Sequence, residues 1–163
     1  TGDVVGEARN RVFRNDELAS LFRNIKCPMF NSFVHFAYYT GARSSEIRSL
    51  KRDTINEDFI GVNGKTGKRL IKLNHQAKEI LDIRKKLWNY SKDFVSHKFK
   101  KECRKLKIAN ARFHDLRRTF GYNLIKQGIS IYKVSKLLGH SSIKTTEKHY
   151  APLLSIEVEN FIL

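Results

Sequence analysis

Cysteine, methionine, proline and tryptophan are all scarce in this 163-residue chain, with two, one, two and one copies. Cys27 and Cys103 stand far apart, so they make neither a disulfide framework nor a thiolate metal site, which fits a reducing compartment. No apolar run approaches the roughly 20 residues that a membrane span needs, and no basic-then-apolar leader opens the sequence. Six histidines lack paired ligand spacing, so no bound metal is expected. Acidic residues are short as well: 16 Asp and Glu face 32 Lys and Arg, for a net charge of +16. An excess of that size attracts a polyanion, and nucleic acid is the default partner. Charge alone would also suit a ribosomal-type basic protein. The 40% hydrophobic content indicates one globular domain with a real core.

The apolar pattern is mainly helical. Residues 1–14 are polar and mixed and read as a lead-in. Asn15 can cap a helix that carries Asp16 and Glu17 in its first turn, where acidic side chains suit the dipole. Leu18, Leu21, Phe22 and Ile25 recur at helical spacing, and Pro28 marks the stop. A second helix, from about Asn31 to Tyr39, is apolar nearly all round and so central to the core, and Gly41 ends it. Ser44 or Ser45 then caps a short helix through Leu50, with Arg43 at its mouth. On local grounds Arg43 and Glu46 form a surface ion pair, worth at most a few tenths of a kcal/mol.

From Thr54 to Leu73 the character changes. FIGV and RLIKL flank NGKTGK, which predicts a hairpin with Lys65 and Lys68 at its tip. GKT invites a phosphate-loop reading, but Phe59 stands where that motif needs its first glycine. Asn74 caps the next helix, with Ala77, Ile80, Leu81, Leu87 and Trp88 on one buried face. Another runs from about Ser91 to Leu106, with Phe94, Phe99, Cys103 and Leu106 inside and a lysine face that can flank DNA.

The stretch HDLRRTFGYNLIKQGISIYKVSKLLGHSSIKTTEKHY holds most of the chemistry. His114 and Arg117 are three apart and project from one helix face. Leu116, Phe120, Leu124 and Ile125 form a core stripe on that helix, and Gly128 suits its break. Ser130 caps a second helix through Leu138, and Gly139 ends it. His140 follows at once, and Tyr150 lies one short segment further on. Cations and donors converging on phosphodiester oxygens, with a nucleophile in reach, are what phosphoryl transfer requires. Two helices about a glycine turn can also be misread as a helix-turn-helix. Pro152 is expected to break the chain before an apolar tail.

Taken in order, GARSSE, GKTGKR, HDLRRTF and LGHSSIKTTEKHY resemble the catalytic domain of tyrosine recombinases, the phage integrase family. The resemblance runs from about Arg11 to Ala151. It implies an α+β fold, mainly α-helical, with a small antiparallel hairpin at one edge. Residues 1–163 would form one catalytic domain, with 1–10 as lead-in and 151–163 as a tail that packs in cis or on a neighbouring protomer. Nothing matches the family's N-terminal core-binding domain, so the chain reads as part of a longer recombinase. Residue by residue, the family pattern makes Arg43 and Arg117 the catalytic arginines and Lys65 the hairpin lysine, with Lys68 as its alternative. His114 opens the HxxR box, His140 fills the His-or-Trp position, and Tyr150 is the nucleophile. Glu46 supports the site, and Lys68, Arg69 and Arg118 contact DNA. The tyrosine follows the LGH histidine by ten residues, one more than in many members.

The implied reaction is attack by the Tyr150 hydroxyl on a phosphodiester. It gives a 3′-phosphotyrosyl link and a free 5′ hydroxyl, and another strand's 5′ hydroxyl reseals the link without ATP. Guanidinium suits the spreading charge because it stays cationic and binds two oxygens at once. A tyrosine with a pKa near 10 needs a proton acceptor, for which His114 is the candidate. The departing alkoxide needs an acid, for which Lys65 is the candidate. His140 would hydrogen-bond the phosphate. No cofactor or metal is implied. The implied partners are double-stranded DNA, a homotetramer on that DNA and accessory directionality proteins, in bacterial or archaeal cytoplasm at the nucleoid. A type IB topoisomerase shares the nucleophile chemistry, and a non-catalytic DNA-binding module would share the basic faces. LGHSSIKTT with the short hairpin favours the recombinase over the first, and the filled catalytic positions favour it over the second.

Overall fold

Outside residues 59–72, apolar side chains recur at helical spacing, and helices form there. The computed structural model describes residues 9–65, 67–154 and 162–163, with Leu154 described by its backbone alone. Helices α1 (Asn15–Asn24), α2 (Pro28–Thr40) and α3 (Ser44–Arg48) come first, followed by a 3₁₀ turn at Arg52–Thr54. Strands β1 (Phe59–Gly64) and β2 (Gly67–Lys72) pair antiparallel, with Phe59 opposite Lys72 and Gly64 opposite Gly67. Then come α4 (His75–Ile83), α5 (Lys92–Lys105), α6 (Asp115–Lys126), α7 (Ile131–Leu138) and α8 (Ile143–Leu154). The domain is mainly helical with one two-stranded antiparallel sheet, as the pattern predicts.

Helix α2 is the axis of the core. Its Phe30, Phe33, Val34, Phe36 and Ala37 are all buried, against Leu18 and Leu21 of α1, Val95 and Phe99 of α5 and Leu116 of α6. A second cluster, of Tyr122, Val134, Leu138 and Tyr150, holds α6, α7 and α8 together. The HxxR helix therefore lies between two cores, and the segments that carry chemistry pack on its two sides.

Several boundaries differ from expectation. Pro28 opens α2 instead of stopping α1; at a helix's first position its missing N–H removes no intrahelical bond. Asn15 and Ser44 are first helical residues, and the N-caps are Arg14 and Arg43. In each case the glutamate three residues on accepts the cap's backbone N–H, Glu17 from Arg14 at 2.9 Å and Glu46 from Arg43 at 2.8 Å. Asn74 and Ser130 cap through their side chains as predicted, and Ser91, expected only as a helix start, does the same. Helix α4 ends at Ile83, so Leu87 and Trp88 lie beyond it. Trp88 is buried nonetheless, and its indole N–H donates to the Met29 carbonyl and the Ser32 hydroxyl. On α5 Phe99 and Cys103 are buried as expected, but at the start of the helix Val95 is inside and Phe94 is exposed. Helix α8 runs through Pro152 to Leu154, so the break expected there does not occur. Residues 155–161, on which the packing of the tail depends, lie outside the described residues.

Candidate active site

Arg117 is the hub of the site. Its Nη1 donates to the Gly41 carbonyl at 2.8 Å and its Nη2 to the Leu138 carbonyl at 2.6 Å. Those carbonyls terminate α2 and α7, where unpaired C=O groups carry partial negative charge. One guanidinium thus fastens two helix ends. Both ends turn away through left-handed glycines, Gly41 at φ 68° and Gly139 at φ 75°. A Cβ would meet the Phe120 ring at 2.4 Å in the first and the Arg69 side chain at 2.9 Å in the second.

Arg43 follows Gly41 and Ala42 directly at the mouth of α3. Glu46, one turn on, is fully buried, so the surface ion pair expected here is not what forms. The carboxylate accepts two hydrogen bonds from Arg69, at 2.6 and 2.9 Å, and the Arg43 guanidinium stands 3.7 Å away. Burial alone would raise the Glu46 pKa, but the Arg69 and Arg43 hydrogen bonds and charges together hold it below the usual carboxylate range. Arg69, expected on DNA, has its guanidinium on Glu46 and close to the Leu137 carbonyl, linking β2 to α3 and α7.

A cavity of about 240 Å³ opens here. It is lined by Arg43, Lys65, His114, Arg117, His140 and Tyr150, together with Arg118, Leu138, Thr145 and His149. All six residues assigned from the motifs converge on it, from α3, the β1–β2 turn, α6, the α7–α8 connection and α8. Lys65 reaches it from the exposed turn. Lys68 points to a different groove, with Lys51 and Leu70 on the hairpin side, so the two lysines are separated by position.

The cavity is electropositive and partly dry. Burial pushes the Tyr150 phenol up to about 12, with the charges of Arg117 and Arg118 pulling the other way. Desolvation of the imidazole against the cavity wall, helped by the charges of Arg117, Arg118 and Arg43, pushes His114 down to about 4, although the residue as a whole is exposed to solvent. His140 is likewise lowered to about 4 by desolvation and then by Arg117, and its Nδ1 sits 2.6 Å from the buried Thr146 hydroxyl. Arg117 falls to about 9, mainly by burial, which leaves it cationic at neutral pH. Both histidines are therefore neutral at pH 7, which a proton acceptor requires.

The motifs missed His149. Arg118, buried between α6 and α8, donates from Nη1 to His149 Nδ1 at 3.3 Å, which leaves the proton of a neutral ring on Nε2. The Nε of Arg118 is buried with no hydrogen-bond partner. A histidine beside a tyrosine carries no spacing signal, and only the helical path of α8 brings it to the cavity. Among the described residues no three His, Cys, Asp or Glu side chains converge where a metal ion could be held. Among the same residues, no helix is long and apolar enough to cross a membrane.

Comparison with known proteins agrees with this fold. The family model described as "Phage integrase family" matches residues 11–155. A tyrosine recombinase XerD of Chlamydia pneumoniae is 28% identical over 153 residues, covering 80% of this chain and 51% of the relative. The chain spans about half the length of the curated relatives it matches. A crystal structure of XerA recombinase superposes with a TM-score of 0.73 at 18% identity, over 94% of this chain and 67% of that one. A XerH site-specific recombinase, captured after cleavage on a palindromic difH substrate, gives a TM-score of 0.70 at 16% identity, over 91% and 52%.

Proposed function

Because this chain belongs to the phage integrase family, we propose that it cleaves and rejoins double-stranded DNA as a site-specific tyrosine recombinase. One observation carries the reading: a single cavity gathers Arg43, Lys65, His114, Arg117, His140 and Tyr150. The scissile phosphate enters that cavity and draws the free N–H groups of Arg43 and Arg117 onto its non-bridging oxygens. His140 donates a further hydrogen bond. The Tyr150 oxygen attacks phosphorus while His114, neutral at pH 7, takes the phenolic proton. The bond from phosphorus to the 5′ oxygen breaks, and Lys65 protonates the leaving oxygen. The products are a 3′-phosphotyrosyl link and a 5′ hydroxyl, and resealing runs the same steps in reverse with another strand's hydroxyl.

Lys68 and Arg118 are assigned to DNA contact, and Arg69 to holding Glu46. The net charge of +16 supports a polyanionic partner. The XerH relative is on DNA. Assembly as a homotetramer on DNA, accessory directionality proteins and a cytoplasmic setting at the nucleoid complete the proposal.

The test is a pool of nicked duplexes with randomised flanks, incubated with the chain in EDTA and run on a denaturing gel. A covalent protein–DNA band that disappears in Tyr150→Phe is the expected result. A band that persists in that variant moves the nucleophile elsewhere. DNA binding without any band favours a module that grips DNA and does not cut it.

A further inference from the structure

Gly121 lies on α6 one turn beyond Arg117, so the two share a helix face. It is buried, and the space a side chain would fill there is occupied by the reactive end of Tyr150. A Cβ at Gly121 would stand 2.3 Å from the Tyr150 hydroxyl oxygen, 2.6 Å from Cζ and 3.2 Å from Cε1. The phenol thus ends on bare helix backbone. Its ring packs in one apolar cluster with Tyr122, Val134 and Leu138. Arg117 and Arg118 act on the hydroxyl through charge, without a hydrogen bond. Contact, not hydrogen bonding, therefore sets how deep the phenol sits and how far its oxygen stands from Arg117.

We propose that Gly121 is the positioning residue for the nucleophile, a notch in α6 that sets the depth of the Tyr150 hydroxyl beside Arg117. The inference rests on the reading of Tyr150 as nucleophile. Any side chain at residue 121 fills the notch. Ordinary contact begins near 3.4 Å, so a methyl group pushes the phenol back by about 1 Å, a displacement that can cost roughly a hundredfold in rate.

The experiment compares Gly121→Ala, Tyr150→Ala and the double variant with the native chain, by thermal unfolding, by NMR of chains carrying ¹³Cζ-tyrosine, and by adduct formation on nicked duplex. Alanine for glycine inside a helix ordinarily strengthens it. Gly121→Ala is therefore expected to lower the melting temperature where Tyr150 is present and to raise it, or leave it unchanged, where Tyr150 is alanine. The Tyr150 resonance, identified by its loss in Tyr150→Ala, should stay protonated through pH 10.5 in the native chain, since burial puts it near 12. In Gly121→Ala it should titrate closer to the ordinary tyrosine value of about 10. Adduct formation at saturating DNA should fall by about a hundredfold, with DNA affinity changed less than about twofold.

Equal effects of Gly121→Ala with and without Tyr150, or an unmoved resonance, would overturn the notch. Unchanged adduct formation would overturn its catalytic meaning, and so would a parallel loss of DNA affinity. Failure of the recombinase reading looks different: the native chain itself forms no adduct through Tyr150 while the stability coupling persists.

Discussion

Replacing Glu46 with alanine tests whether the site rests on its buried carboxylate. That carboxylate accepts two hydrogen bonds from Arg69 and one from the Arg43 backbone, and it is fully buried. Truncation leaves Arg69, only 14% exposed, without its counter-ion between β2 and α7. Stranding one member of a buried pair costs about 3–5 kcal/mol. For a domain of this size each kcal/mol moves the melting temperature by about 2–4 °C, so a fall of about 6–20 °C is expected. Urea unfolding followed by the fluorescence of Trp88, the single tryptophan and buried against α2, reads the same quantity. Removing Arg69 as well, as Arg69→Leu, should restore part of the loss because no stranded charge remains. Acid behaviour adds a second readout. The folded carboxyl titrates below its ordinary 4.5, so the unfolded chain binds more protons in that range. The stabilisation is complete above about 4.5 and is lost as pH falls through the folded value, so Glu46→Gln should flatten the acid limb of the stability curve. A cost below about 1 kcal/mol for Glu46→Ala would reduce the cluster to an ordinary surface pair and refute the reasoning.

Further outcomes concern the two arginines, the two histidines and the hairpin lysines. Arg117→Lys keeps the charge but loses the planar fork that bridges Gly41 and Leu138, so both melting temperature and adduct rate should fall, the rate by about a thousandfold. Arg43→Lys should lose comparable rate with little loss of stability, and equal destabilisation of the two variants would contradict the assignment. With His114 and His140 near 4, adduct formation at subsaturating DNA should stay level from pH 8 to about 5, and a midpoint near 6.5 would show instead a histidine base of ordinary pKa and refute the depression. The same depressed values mean the unfolded chain binds more protons between about 6.5 and 4, so stability declines as pH falls through that window. Lys65→Ala should slow cleavage of normal DNA yet cleave at near-native rate a substrate whose 5′ leaving atom is sulfur, which departs without a proton. Lys68→Ala should show no such selective rescue.

What the sequence displayed was local. Gly41 and Gly139 announced the ends of α2 and α7, Asn74 and Ser130 announced caps, and NGKTGK announced the hairpin, because each acts through its immediate neighbours. The six motif residues that line the cavity were readable because the motifs preserve order and spacing along the chain. Proline was the main local error: Pro28 breaks a helix only when it falls inside one, and its position relative to α2 was what remained hidden. Pro152 lies near the end of α8, and the helix continues two residues past it. The slip at the start of α5 that exposes Phe94 and buries Val95 reflects how the helix docks on its neighbours, α3 among them, which periodicity on α5 cannot see. Glu46 and Arg69 are 23 residues apart, and Gly121 and Tyr150 meet only because α8 folds back across α6. Contacts of that kind have no signature until the elements are docked.

Arg117 has a consequence for how such a gene decays. In an inactive copy, selection on DNA chemistry lapses while selection against misfolded protein continues. Arg43 and Lys65 can then drift, since the first meets its carboxylate only at 3.7 Å and the second stands on an exposed turn. Arg117 cannot drift so freely, because losing it unfastens two helix ends. On the proposed function, a relative that keeps the HxxR arginine is therefore not thereby shown to be alive, and the residues to inspect for lost activity are those at the positions of Arg43 and Lys65.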